Sequence, residues 1–306
     1  MKYCTLFFAF FSLLHPENGM GQNVVTDSTA TVVTYWEKGD ILKFSLLQKK
    51  EKYKDARLVS DGSSTSTIII TVIDATDKSY TLNWKCDQIK VNDAGAMDTF
   101  SLRLIQIIEG INFTYKASEL GEFQELLNWE EVRDFVHQLI DKLGQQSKNT
   151  DISSALIETK KIFDSKESIE QIILRDVQLL HTLYGGEYKL NEKISSETEL
   201  PNFLGGSPFS AVLSIEMTEL NRAKNHCIIQ MKQVLDKEKL TKELNAWMEK
   251  IGKPKDSKLP LINLIDEYDF EIELKKGIVT RAYSKRVAEI DNTKSIEIHE
   301  LTKLNQ

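Results

Sequence analysis

The sequence predicts an α+β fold, a curved antiparallel sheet, open and barrel-like, with an inserted helical segment packed on its concave face. Three observations predict it. Apolar and polar residues alternate at period two over residues 32–127 and again over 208–303. Between these regions, residues 128–184 change to the period of amphipathic helices. No Pro-rich or Ser-rich linker separates the two strand regions, and neither has enough helix of its own to cover an apolar face. Residues 22–306 are therefore read as one domain, with two domains as the alternative that chain length favours.

The first strand region is clearest where Tyr80, Leu82, Trp84 and Cys86 alternate with Thr81, Asn83 and Lys85. The pattern continues through Phe100, Leu102 and Leu104, then Ile111, Phe113 and Tyr115. Breakers at Lys38-Gly39-Asp40, Ser60-Asp61-Gly62-Ser63, Asp93-Ala94-Gly95 and Glu109-Gly110 predict hairpins in a meander.

Asn128 and Glu131 form a capping-box pattern, after which Trp129, Val132, Val136, Leu139, Ile140 and Leu143 share one helix face up to Gly144. A second helix is expected from Asp151. A third, from Asp164 or Ser165, carries Ile169, Ile172, Ile173, Val177 and Leu180 before Gly185-Gly186. Strands return with Ala211, Leu213, Ile215 and Met217, then with Cys227, Ile229 and Met231. Asp236 begins a helix with Leu240, Leu244 and Trp247 inward. Strands around Tyr268–Leu274, Ile278–Val287 and Ile296–Ile298 close the chain.

With 39 Lys and Arg against 46 Asp and Glu, the net charge is -7, and the bulk basicity of a nucleic-acid-binding surface is missing. Nucleic acid is not an expected partner. Lys2, the apolar run Leu6–Leu14 and the small residues Gly19-Met20-Gly21 read as a signal peptide over 1–21, cleaved before Gln22. The protein is thus expected to be exported, periplasmic or secreted. No later stretch approaches a membrane span, so an integral membrane protein is not expected. Cys86 and Cys227 remain after cleavage, and both fall at apolar phases, so buried thiols are favoured over a disulfide.

Catalytic motifs are missing. His299-Glu300 starts like H-E-x-x-H, but Lys303 stands where the second His belongs. Gly62–Ser66 and Gly205–Phe209 lack the closing Gly of a nucleophile elbow, and no phosphate-binding glycine loop exists. His137 and His181 lie beside apolar helix stripes as structural imidazoles. The run Asp266, Glu267, Asp269, Glu271, Glu273 reads as a solvated strand face, and the lysines of 232–258 are interleaved with carboxylates as on a solvated helix. No enzyme, cofactor or metal is expected; His226 with Cys227 is the first place a Zn would be sought. Asn112-Phe113-Thr114 is a glycosylation sequon inside a strand pattern. The loop 200–209, containing Phe203, is apolar and full of breakers, suited either to the rim of a pocket or to plugging the sheet end.

Trp36-Glu37-Lys38-Gly39-Asp40, Gly121-Glu122-Phe123, Asn128-Trp129-Glu130-Glu131-Val132 and Leu200-Pro201-Asn202 resemble an uncharacterised family of exported bacterial α+β proteins. At fold level the predicted sheet is similar to the half-barrels of periplasmic lipoprotein carriers. The resemblance implies no catalytic residues, and fold alone does not fix function. Two readings follow. In the first, the protein is a cell-envelope binding protein whose cleft holds an apolar or lipid ligand. Phe100, Leu102, Leu213, Ile215 and Met217 line the sheet, Trp129, Val136 and Leu143 the helical cover, and Phe203 the rim. In the second, the cleft is filled and the protein is a structural or interaction protein that meets other envelope proteins. A cavity of ligand size between sheet and helices separates the two.

Overall fold

The computed structural model describes residues 26, 28–92, 112–146, 160–200, 202, 206–250 and 259–305. Its first half contains β1 (Thr29–Thr31), β2 (Ile41–Lys54), β3 (Arg57–Ala75), β4 (Ser79–Asn92), β5 (Asn112–Ser118) and β6 (Phe123–Leu126). Three helices follow, α1 (Trp129–Gln146), α2 (Lys166–Ile172) and α3 (Arg175–His181). Then come β7 (Glu187–Lys189), β8 (Lys193–Leu200), β9 (Phe209–Asn221), β10 (His226–Leu235) and helix α4 (Lys237–Lys250). The strands β11 (Ile262–Glu273), β12 (Ile278–Ile290) and β13 (Thr293–Lys303) end the chain.

Eleven of these strands form one antiparallel sheet in the order β6-β5-β4-β3-β2-β13-β12-β11-β10-β9-β8, curved but not closed. β2 and β13 are neighbours, so both strand regions build the same sheet. A small second sheet pairs β1 with β7. The fold class read from the sequence is thereby met.

Three local readings change. The breaker at Ser60-Asp61-Gly62-Ser63 is no turn. β3 runs through it, and the hairpin turn lies at Asp55 and Ala56, both with positive φ. Small polar residues act there as strand residues because Ser60, Gly62 and Ser64 pair with the lysine-rich end of β2, where no bulky neighbour demands an apolar partner. The helix expected from Ser165 is two helices. Ser165 caps α2 by accepting from the Ser168 N–H, and the chain turns at Ile173–Leu174. Leu174 is fully buried at that corner, so its packing outweighs continuation of the helix. Finally, Asn128 does not close a capping box. Its Oδ1 accepts from the Thr114 N–H and its Nδ2 donates to the Asn112 carbonyl, tying the start of α1 to β5. The second helix expected from Asp151, and the turns expected at 93–95 and 109–110, lie outside the described residues.

The core is built on one sheet face. Leu42, Phe44, Ile68, Ile70, Leu82, Trp84, Phe113 and Tyr115 meet Val132, Val136 and Ile140 of α1, Ile169 of α2 and Val177 and Leu180 of α3. Trp36 stands edge-on to Tyr80, His181 and Tyr184 in the same core. Gly277, in the β11–β12 turn at φ +58°, presses against this plug. A Cβ there would overlap the Val33 carbonyl oxygen, and its own carbonyl accepts from the Tyr184 hydroxyl. Cys86 and Cys227 are both buried thiols, and burial pushes the Cys227 thiol up to about 12, where it stays protonated and unreactive.

Candidate functional site

Strand registers place side chains on the concave face row by row, because residues paired across a ladder share a face. At one end of the sheet the rows are mostly apolar and covered by α1, α2 and α3. At the other end α4 lies over a second, smaller core of Phe209, Ala211, Leu235, Leu240 and Ile262. Between the two covers the face turns polar on its β12–β3 side.

His299 pairs with Gln48 and Ser284, and Glu297 with Lys50 and Arg286. Two charged constellations result. Arg286 forks onto Asp266, Nε donating to Oδ1 at 2.7 Å and Nη2 to Oδ2 at 2.8 Å, while Gln233 donates a third bond at 3.4 Å. Asp266 is only 1% exposed, and the hydrogen bond to it holds the guanidinium protonated well above its ordinary range. In the second constellation, Asp176 at the start of α3 accepts from His299 Nδ1 at 2.6 Å and from Gln48 Nε2 at 2.9 Å. Burial pushes the Asp176 carboxyl up, but His299, Arg175 and Gln48 together outweigh burial and hold it below the usual range. Arg175 and Lys50 both pair with Glu297, at 3.3 and 3.0 Å.

This belt was not legible as a site in the sequence. Asp266 does not belong to the solvated acidic face, because it shares strand parity with Tyr268 and Phe270 and points inward with them. That parity was the available signal. His299 and Glu300 face opposite sides of β13, His299 toward α3 and Glu300 toward Arg281 on β12. His181 is a core residue. Its Nδ1 donates to the Gly121 carbonyl at 2.6 Å, so Nε2 accepts from the Tyr115 hydroxyl at 3.0 Å. Burial lowers its pKa to about 4, against the opposing pull of the Gly121 bond.

Of the residues assigned to a ligand cleft, Val136 and Met217 are fully buried in the main core. Trp129, Leu213 and Ile215 are half-buried against it, with Arg133 lying over the Trp129 ring. Phe100, Leu102 and Phe203 lie outside the described residues, as do Leu104, the side chain of Leu143 and the segment 1–21. Under the helical cover, where Gln48, Ser64, Trp84, Phe113, Asp176 and Val177 meet, is a cavity of about 30 Å3. That is room for one or two waters, against roughly 300–1,000 Å3 for small-molecule sites.

At the edge of the α4-covered core the arrangement differs. Leu264 pairs with Ala288 and Ile262 with Ile290, and Leu264 and Ile290, half-buried like Ala288, pack against that core. Leu213, Ile215 and the exposed Ile194 extend the apolar surface toward β8. On the opposite flank Lys50, Lys52 and Lys54 alternate along β2 on the concave side, opposite Glu297, Ser295 and Thr293. The result is a groove with an aliphatic floor and a cationic wall. Its residues suit non-covalent binding. Among the described residues no cluster of His, Cys, Asp and Glu could hold a metal ion, and no helix is long and apolar enough to cross a membrane.

No family model and no curated protein matches the chain. Among solved structures it is similar to lipovitellin, described under lipid–protein interactions, at 11% identity and a TM-score of 0.44. That match covers 89% of this chain and 26% of the other, so the chain spans about a quarter of the solved protein.

Proposed function

We propose that the protein is an exported binding protein of the cell envelope, not an enzyme, and that it carries an apolar or lipid ligand in the open part of its concave face. The supporting observation is the half-buried aliphatic strip where the edge of the main core, at Leu213, approaches the edge of the second core, at Leu264 and Ile290, with Ala288 beside them. Each ligand methylene removed from water on such a floor contributes about 0.8 kcal/mol, so ten supply roughly 8 kcal/mol before the cost of association. The site moves from the helix-covered end, where the sequence put it, because the cavity there accommodates water and no acyl chain.

Titration with laurate tests the proposal by mass action. A hundredfold excess over the dissociation constant stabilises the fold by about 2.7 kcal/mol, which raises the melting temperature. No shift with any amphiphile, together with no lipid in mass spectra of protein taken from its native source, sinks the reading. The export part has its own test, an intact mass beginning at Gln22.

A second reading, an envelope interaction protein without a small ligand, draws on the outer face. There Val212, Val234, Ile265, Val287 and Ile296 stand side by side across five neighbouring strands. Concentration-independent monomer in sedimentation, with no partner crosslinked through this row in the native envelope, argues against it.

A further inference from the structure

From the cationic wall we infer that the ligand is an anionic amphiphile whose carboxylate or phosphate head is held by Lys52 and Lys54 and whose tail lies over Ala288 and Leu264. The inference rests on the binding function proposed above and names the ligand class that the same groove selects.

Three observations carry it. First, the belt holds five cations, Lys50, Lys52, Lys54, Arg175 and Arg286, against three carboxylates, Asp176, Asp266 and Glu297, in a chain whose overall charge is -7. An excess of positive charge in one groove of an acidic protein is a local selection for anions. Second, the pairing within the belt is uneven. Arg286 and Arg175 are engaged by carboxylates and Lys50 shares Glu297, whereas Lys52 and Lys54 are exposed and make no ion pair among the described residues. Their cross-strand partners are Ser295 and Thr293, which are neutral. Two ammonium groups therefore face the groove with their charge uncompensated. Third, the register makes apolar and cationic positions continuous. Lys52 pairs with Ser295, Ser295 with Ala288 and Ala288 with Leu264, so head and tail positions follow one another across four adjacent strands. From Lys52 on β2 to Leu264 on β11 the row crosses three strand spacings, about 14 Å.

Titration calorimetry with the full chain and four probes tests this, using laurate, dodecyl phosphate, dodecanol and inorganic phosphate below any micelle-forming concentration. Laurate and dodecyl phosphate are expected to bind about tenfold or more tighter than dodecanol, with a gap that narrows as salt rises. In the charge-reversed variant Lys52→Glu/Lys54→Glu the gap is expected to close while dodecanol affinity stays the same. Both positions are exposed, so the melting temperature of the unliganded variant should match that of the parent, which separates lost recognition from lost folding. If dodecanol binds as tightly as laurate, the head-group inference falls and the apolar groove stands. If inorganic phosphate alone matches dodecyl phosphate, the wall is a plain anion site and the amphiphile is overturned. If neither laurate nor dodecanol binds, the carrier reading itself fails.

Discussion

The two halves of the concave face use the same strands for opposite ends. Under α1, α2 and α3 each strand contributes aliphatic and aromatic residues, and the helices fill the space above them down to a cavity of about 30 Å3. Four residues away on β2, β12 and β13 the same parity carries Lys50, Arg286 and Glu297 in place of Leu46, Ala282 and Leu301. A buried apolar row needs cover, and the chain supplies it. The charges of the belt are instead held in pairs, Asp266 buried under the Arg286 fork and Asp176 of α3 bonded to His299, which offsets part of their desolvation. Beyond the belt Lys52 and Lys54 stay exposed.

The largest expected effect lies in the covered half. Gly277→Ala should destabilise by on the order of 4 kcal/mol or fail to fold, since the new methyl group strikes backbone at Val33 and the side chain must adopt a positive φ. Urea melts of the variant would show it. A loss below about 1 kcal/mol would mean that the β11–β12 turn does not press on the plug.

Next comes the polar belt. Arg286→Met leaves Asp266 buried without its fork and is expected to cost about 3–5 kcal/mol, whereas the double change Arg286→Met/Asp266→Leu should recover most of that. Equal losses in the single and double variants would show that the pair is not coupled.

A third contrast is in pH. His181 titrates near 6.5 when unfolded and about 4 when folded, so the unfolded chain binds the proton first. Its contribution is complete above about pH 6.5 and is lost as pH falls toward 4, a change of about 3 kcal/mol. Asp176 behaves differently, because its folded carboxyl is held below the usual range and its contribution disappears only at still lower pH. Stability measured from pH 7 to 4.5 should slope in the parent and flatten in His181→Gln. An unchanged slope would point to other groups. The smallest effect is at the wall, where Lys52→Glu should change stability by no more than about 0.5 kcal/mol.

Period-two alternation made the sheet legible, and the helical period made the insert and α4 legible. What the sequence hid was where a turn falls in a polar stretch. Gly62 looks like a turn residue, yet it pairs with Lys50 inside β3, the longest strand among the described residues. β7 and β8 were also missed, because Lys193–Leu200 is mostly exposed and polar and shows no alternation. The belt stayed hidden for a related reason. Asp266, Arg286 and His299 occupy core parity, but their partners sit on other strands or, for His299, on α3, and single-strand periodicity carries no information on cross-strand pairing. Cys227 and Leu180, by contrast, read correctly as core from their phase alone.

The central claim is that a ligand lies in the open half and not beneath the helices. Photolabelling with a laurate analogue carrying a diazirine at its tail, followed by peptide mapping, tests it most directly. Labels are expected on β11 and β12 at Leu264 or Ala288, displaced by unlabelled laurate. Displaceable labels confined to α1 and the strands beneath it, at Val136, Leu82 or Trp84, would contradict it.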